Sequence, residues 1–171
     1  MKMSAADAPT MADEFQTFLA LMGRLNYTWT NTESLLIHMI AGLAGVTKEV
    51  ATVIFLTLNT SRARIDLVER LAKLDAQKPD LREEVLSLTR DMHKTLKLKN
   101  KYNHCIYSFD NEGRNASTIL MRISDQKHKI EYGKSSPINA REITLVRETI
   151  QKTQTLNKSL WEFFKQRRFP V

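Results

Sequence analysis

Cysteine is almost absent: Cys105 is the only one in 171 residues. An intrachain disulfide and any Cys-x-x-Cys redox or metal motif are therefore excluded, and this usage suits a reducing compartment, so a cytoplasmic location is expected. Proline (4) and glycine (5) are scarce as well, which excludes collagen-like and low-complexity chains. No long hydrophobic run occurs. The longest, Leu35 to Val46, is 12 residues interrupted by His38, short of the roughly 20 needed to span a bilayer. Met1 to Thr10 lacks the apolar segment of a signal peptide, and no membrane partner is expected. The signatures GxGxxG, GxxxxGK[ST] and GxSxG are missing too, so no nucleotide cofactor or serine-hydrolase chemistry is implied and the cofactor expectation is none.

What the chain does have is apolar residues at 42% and charged residues at 26%, the composition of a folded protein. Its length fits one domain. The net charge of +7 is uneven: residues 1–60 carry 3 cations and 5 anions, 61–110 carry 11 and 8, and 111–171 carry 12 and 6. A pI near 9.6 favours polyanionic partners through counterion release from phosphates.

Apolar residues at Phe15, Phe18, Leu19, Met22, Leu25, Trp29, Leu36, Ile40 and Leu43 keep the 3.6-residue period and predict one long helix from Asp13 to about Leu43. After Gly42 and Gly45, Thr47 is placed to cap a second, carried by Val50, Val53, Ile54, Leu58, Ile65, Val68 and Leu71 to about Leu74. Pro79-Asp80 with Glu83 reads as a capping box opening a third helix through Val85, Leu88, Met92 and Leu96, ending between Lys99 and Tyr107. Ile106–Phe109, Asp110-Asn111-Glu112-Gly113 and Ser117–Ile123 read as strand, turn and strand, with a further strand at Lys129–Tyr132. Asn139 with Glu142 starts the last helix, through Ile143, Val146, Ile150, Leu156, Leu160 and Phe164. The expected fold is mainly α: an antiparallel four-helix bundle with a small β-hairpin inserted between helices three and four. A flexible N-terminus over 1–12 precedes a single domain over 13–168, with the β insertion at about 105–133.

On a wheel of the third helix, Arg90, Lys94, Lys97, Lys101 and His104 fall within about 80° of one another, a cationic stripe suited to nucleic acid. Opposite them, the face of Val85, Leu88, Met92 and Leu96 leads on to Lys99 and Asn103. Two readings stand open. Either the helix persists and directs Lys99 toward the core or a partner, or it ends near Asn100 and Lys99 snorkels to water. Glu33 and Arg62 lie beside apolar faces and are candidates for a buried network of Glu33 with Arg62 or Lys99; the alternative is that Glu33, Arg62 and Arg64 form ordinary boundary ion pairs. His38 reads as a core histidine. His93 and His128 have no ligand partner at zinc spacing, so no metal site is expected. The tail Lys165–Val171 reads as a frayed C-terminus.

The run Lys99-Asn100-Lys101-Tyr102-Asn103-His104 resembles the HEPN superfamily motif, in which Arg and a polar residue, often Asn, are followed by three variable residues and His. Asn100 and His104 match, Lys99 stands where the family has Arg, and Cys105 follows where many members have Gly. The resemblance implies an all-α homodimer whose motif helices meet in a basic cleft. In active members that cleft cleaves RNA without metal, in settings such as stress or phage defence. His assists attack of a 2′-hydroxyl on the adjacent phosphate and Arg stabilises the developing charge. Carried over, His104 is the catalytic group, Lys99, Asn100 and Lys101 hold phosphate, and Arg90, Lys94 and Lys97 extend the RNA contact. The alternative is a non-catalytic dimerisation or protein-interaction module facing an acidic partner.

Overall fold

A computed structural model describes residues 11–110, 115–121 and 123–171. The N-terminus expected to be flexible lies outside the described residues except for positions 11 and 12, which begin the first helix; Asn111, Glu112 and Gly113 of the expected turn also lie outside them. The described chain is mainly helical: α1 (Met11–Glu33), α2 (Leu36–Ala44), α3 (Lys48–Thr57), α4 (Ser61–Ala72), α5 (Pro79–Asn103) and α6 (Ala140–Arg167). Between α5 and α6 run β1 (Cys105–Phe109), β2 (Ala116–Leu120), β3 (Ile123–Gln126), β4 (Lys129–Tyr132) and β5 (Ser135–Pro137).

Among the described residues six helices thus stand where the periodicity predicts four, because two expected helices are each broken. Between α1 and α2 the ladder tightens to three-residue bonds, Leu35 N–H to Thr32 O and Ile37 N–H to Ser34 O, while the Ser34 hydroxyl donates to Asn31 O. A serine competing for backbone acceptors is a sufficient local cause. Between α3 and α4, Thr60 accepts from Ala63 N–H through Oγ1. Arg64 Nε donates to Phe55 O and Leu58 O, satisfying carbonyls at the end of α3. The predicted Thr47 cap forms, with Oγ1 accepting from Val50 N–H at 3.3 Å. Gly45 closes α2 at φ 65°, a left-handed position that suits glycine, and Val46 N–H returns to Ala41 O.

The chain forms two compact units. The first comprises Met1–Leu25 with Lys99–Glu148, and the second Asn26–Leu98 with Thr149–Val171. In the first unit, β2 lies between β1 and β5, antiparallel to both, in registers that pair Tyr107 with Thr118 and Thr118 with Ser136; β3 and β4 form a separate hairpin. Phe15 and Phe18 of α1 meet Tyr102, Tyr107 and Phe109 edge to face, at centroid distances of 4.9 to 6.2 Å. Phe18, Met22, Leu25, Tyr102, Ile138, Ile143 and Val146 are buried in this unit.

The second unit buries Trp29, Leu36, Met39, Ile40, Ile65, Met92, Leu160, Phe163 and Phe164, all essentially inaccessible. Its C-terminus is docked rather than frayed. Phe169 lies against Phe163 and Phe164, and Pro170 O sits 2.8 Å from His38 Nδ1, so an aromatic anchor and a histidine hold the tail. Among the described residues no helix is long and apolar enough to cross a membrane.

Candidate nucleic-acid interface

The third predicted helix runs on past Asn100 to Asn103 as α5, so the reading that ends it at Asn100 is corrected. His104 is the first residue beyond it. Its backbone is fixed on both sides, its N–H donating to Asn100 O at 3.2 Å and its carbonyl accepting from Met121 N–H at 2.9 Å, while the side chain stays exposed. Four residues apart at a helix end, Asn100 and His104 share a face.

The helix ends without a glycine. Tyr102 O, a carbonyl of the last turn, accepts from Cys105 Sγ–H at 3.0 Å and from the Tyr107 hydroxyl at 3.2 Å. Side chains thus supply the donors that a left-handed glycine cap otherwise brings in. Burial pushes the Tyr107 hydroxyl up from its ordinary value, and a hydrogen bond with Cys105 adds to the shift. Burial likewise raises Tyr102, reinforced by its hydrogen bond to Glu142. Both phenols remain protonated donors, fitted to structure rather than proton transfer.

Lys101 is engaged. Its Nζ lies 2.8 Å from Oε2 of Glu142, the same oxygen that accepts from the Tyr102 hydroxyl, and 4.9 Å from the Tyr102 ring centre. Burial alone lifts the Glu142 carboxyl, but hydrogen bonds from Lys101 and Tyr102 outweigh it and hold the group below the ordinary glutamate value. Lys101 is therefore a neutralised cation. Lys99 and Asn100 are half-buried, so Lys99 is not drawn into the core although the helix persists. In the second unit Arg90, Lys94 and Lys97 are exposed along α5; Lys94 pairs with Asp91 at 2.7 Å, whereas Arg90 and Lys97 have no ion-pair partner among the described residues.

The network of Glu33 with Arg62 or Lys99 does not form, and the alternative of ion pairs at Glu33, Arg62 and Arg64 does. Glu33, buried, accepts from Trp29 Nε1 at 3.0 Å and from Arg64 Nη1 at 3.0 Å. Arg62 points out, with 75% of its side chain exposed, and reaches Asp66 at 3.4 Å. Arg64 rather than Arg62 lies on the α4 flank nearer the buried Ile65 and Val68, a phase that the break before Ser61 sets.

No family model, curated protein or solved structure matches the chain. Two features are not apparent from spacing alone. One is the Tyr102–Glu142–Lys101 group, joined by residues about 40 positions apart. The other brings His93 of α5 to Asp66 and Glu69 of α4, three side chains whose ligating atoms all lie within 4.8 Å of one another.

Proposed function

We propose that this chain is a HEPN-like homodimeric RNA-binding protein that cleaves RNA without a metal through His104. In this reading the helices derive from a four-helix core, α1 with α2 and α3 with α4 each counting as one broken helix. The observation that carries it is the end of α5: an exposed imidazole on a backbone hydrogen-bonded at both its N–H and its carbonyl, one helical turn after Asn100 and on the same face. His104 takes the proton of a ribose 2′-hydroxyl as its oxygen attacks the adjacent phosphorus. The bond to the 5′-oxygen breaks, that oxygen gains a proton, and a 2′,3′-cyclic phosphate remains. Asn100 faces the phosphate with His104, and Lys99, which the helical period sets toward the other side of α5, supplies a point charge where the family's arginine would give a planar fork. Lys101 is reassigned from phosphate binding to the support of the site through Glu142.

Dimerisation and RNA binding are tested together by measuring mass in solution and the anisotropy of a labelled structured RNA. The reading expects a two-chain species whose RNA affinity falls with salt. A monomer with no RNA affinity at low salt overturns it. The second reading, a protein-interaction module, draws on the β3–β4 hairpin, where Ile123 and Tyr132 pair across the strands and, with Ile130, stand exposed. It expects wild type and His104→Ala to be indistinguishable on RNA.

A further inference from the structure

Asp66 and Glu69 lie one turn apart on α4, beside its buried stripe of Ile65, Val68 and Ala72, and both face His93 of α5. His93 Nε2 is 3.3 Å from Oε1 of Glu69. Two donors bound to one ion at the usual zinc–ligand lengths of about 2.0–2.2 Å stand about 3–3.5 Å apart, so this pair already has the spacing of shared coordination. Asp66 needs only a side-chain rotation to join, because all three ligating atoms lie within 4.8 Å of one another. Among the described residues no other three His, Cys, Asp or Glu side chains converge in this way.

The electrostatics favour a cation. Two carboxylates face one imidazole, and their other partners are loosely held: Arg62 is 3.4 Å from Asp66 with 75% of its side chain exposed, and Lys73 is 4.0 Å from Glu69 with 54% exposed. Exposed pairs of this kind contribute little and are readily displaced. The three ligands are more sheltered, at 29%, 22% and 31% exposure for Asp66, Glu69 and His93. An imidazole beside two carboxylates is a borderline donor set, suited to Zn²⁺ and its first-row neighbours and poorly to Mg²⁺ or Ca²⁺, which take oxygen.

We infer that Asp66, Glu69 and His93 form a divalent transition-metal site that binds Zn²⁺ and joins α4 to α5. Three protein donors leave the fourth tetrahedral position to water. The site is independent of the His104 chemistry, which uses no metal.

The test is calorimetric titration of Zn²⁺ into the full-length protein, freed of metal by chelation and dialysis, with Mg²⁺ in parallel. Saturable uptake of one Zn²⁺ per chain, no uptake of Mg²⁺ and a rise of about 5 °C in the unfolding midpoint at excess Zn²⁺ are expected. Asp66→Asn and His93→Gln, each shown by circular dichroism to keep the helical content, should weaken Zn²⁺ at least about tenfold. Arg62→Ala, which removes the competing cation, should strengthen it. Absence of saturable uptake by the wild type, or uptake unchanged by both ligand substitutions, overturns the assignment.

Discussion

Lys101 of α5 and Glu142 of α6 hold one another at 2.8 Å, and the same carboxylate oxygen accepts from Tyr102. A lysine of the cationic stripe is thereby turned from a free cation into a structural one. Glu142→Gln should cost about 1 kcal/mol in urea unfolding, less than a fully buried charged hydrogen bond because water still reaches the pair.

The pH dependence of this pair has a definite sign. The folded Glu142 carboxyl titrates below its ordinary 4.5, so its contribution is complete above that value and is lost as pH falls through the lower folded value. Wild type should therefore lose more stability than Glu142→Gln on acidification below pH 4.5. Parallel acid limbs for the two proteins would contradict the role given to the pair.

Glu33 and Arg64 make the opposite kind of pair, since the glutamate is buried and Arg64 also holds the carbonyls that end α3. Glu33→Ala leaves Arg64 and the Trp29 N–H without their acceptor and should destabilise by about 3 kcal/mol. Arg62→Ala, at an exposed pair, should stay within about 0.5 kcal/mol of wild type. Chemical denaturation of both variants separates the roles, and equal losses would show that the pairing with Arg64 is not the stabilising one.

Arg168 adopts φ 55° at the end of α6, where Phe169 N–H returns to Phe164 O at 3.0 Å. This is a left-handed cap position filled by a residue with a Cβ. Arg168→Gly should raise stability by about 0.5–1 kcal/mol. Removal of residues 169–171 should lower it by about 2 kcal/mol, because the Phe169 contacts with Phe163 and Phe164 are lost. Gly42→Ala should also destabilise, since a Cβ there overlaps the Phe169 ring. Thermal melts rank the three.

Much of the helical skeleton is legible in the sequence because long amphipathic segments state their own period. Met22, Leu25, Trp29, Leu36 and Ile40, and Val146, Ile150, Leu160 and Phe164, are buried as the pattern predicts. Short helices defeat the same logic. Val50 and Val53 keep the expected period yet stand 46% and 62% exposed, because the break at Leu58 to Thr60 gives α3 its own phase and buries Ala51 and Phe55 instead. Thr60 is a cap that local sequence offers and that the continuing apolar pattern hides. At Asn139 the backbone half of the predicted box forms, Oδ1 accepting from Glu142 N–H, but the Glu142 side chain turns to Lys101 and Tyr102. Asp80 likewise meets Arg167 at 2.7 Å, and that hydrogen bond holds its carboxyl below the ordinary aspartate value. Which charge meets which is decided by packing of distant segments, and that is why the sequence offers Glu33, Arg62 and Arg64 as ion-pairing residues without saying that Glu33 meets Arg64, and does not show the His93 cluster.

The central claim, that His104 is a metal-independent catalytic group, is tested most directly by incubating wild type and His104→Ala with a structured RNA pool in the presence of EDTA. His104 is exposed, so its removal should leave the fold intact. The account predicts cleavage by the wild type alone, leaving 2′,3′-cyclic phosphate ends. Cleavage that persists in His104→Ala, or none by either protein across the pool, would contradict it.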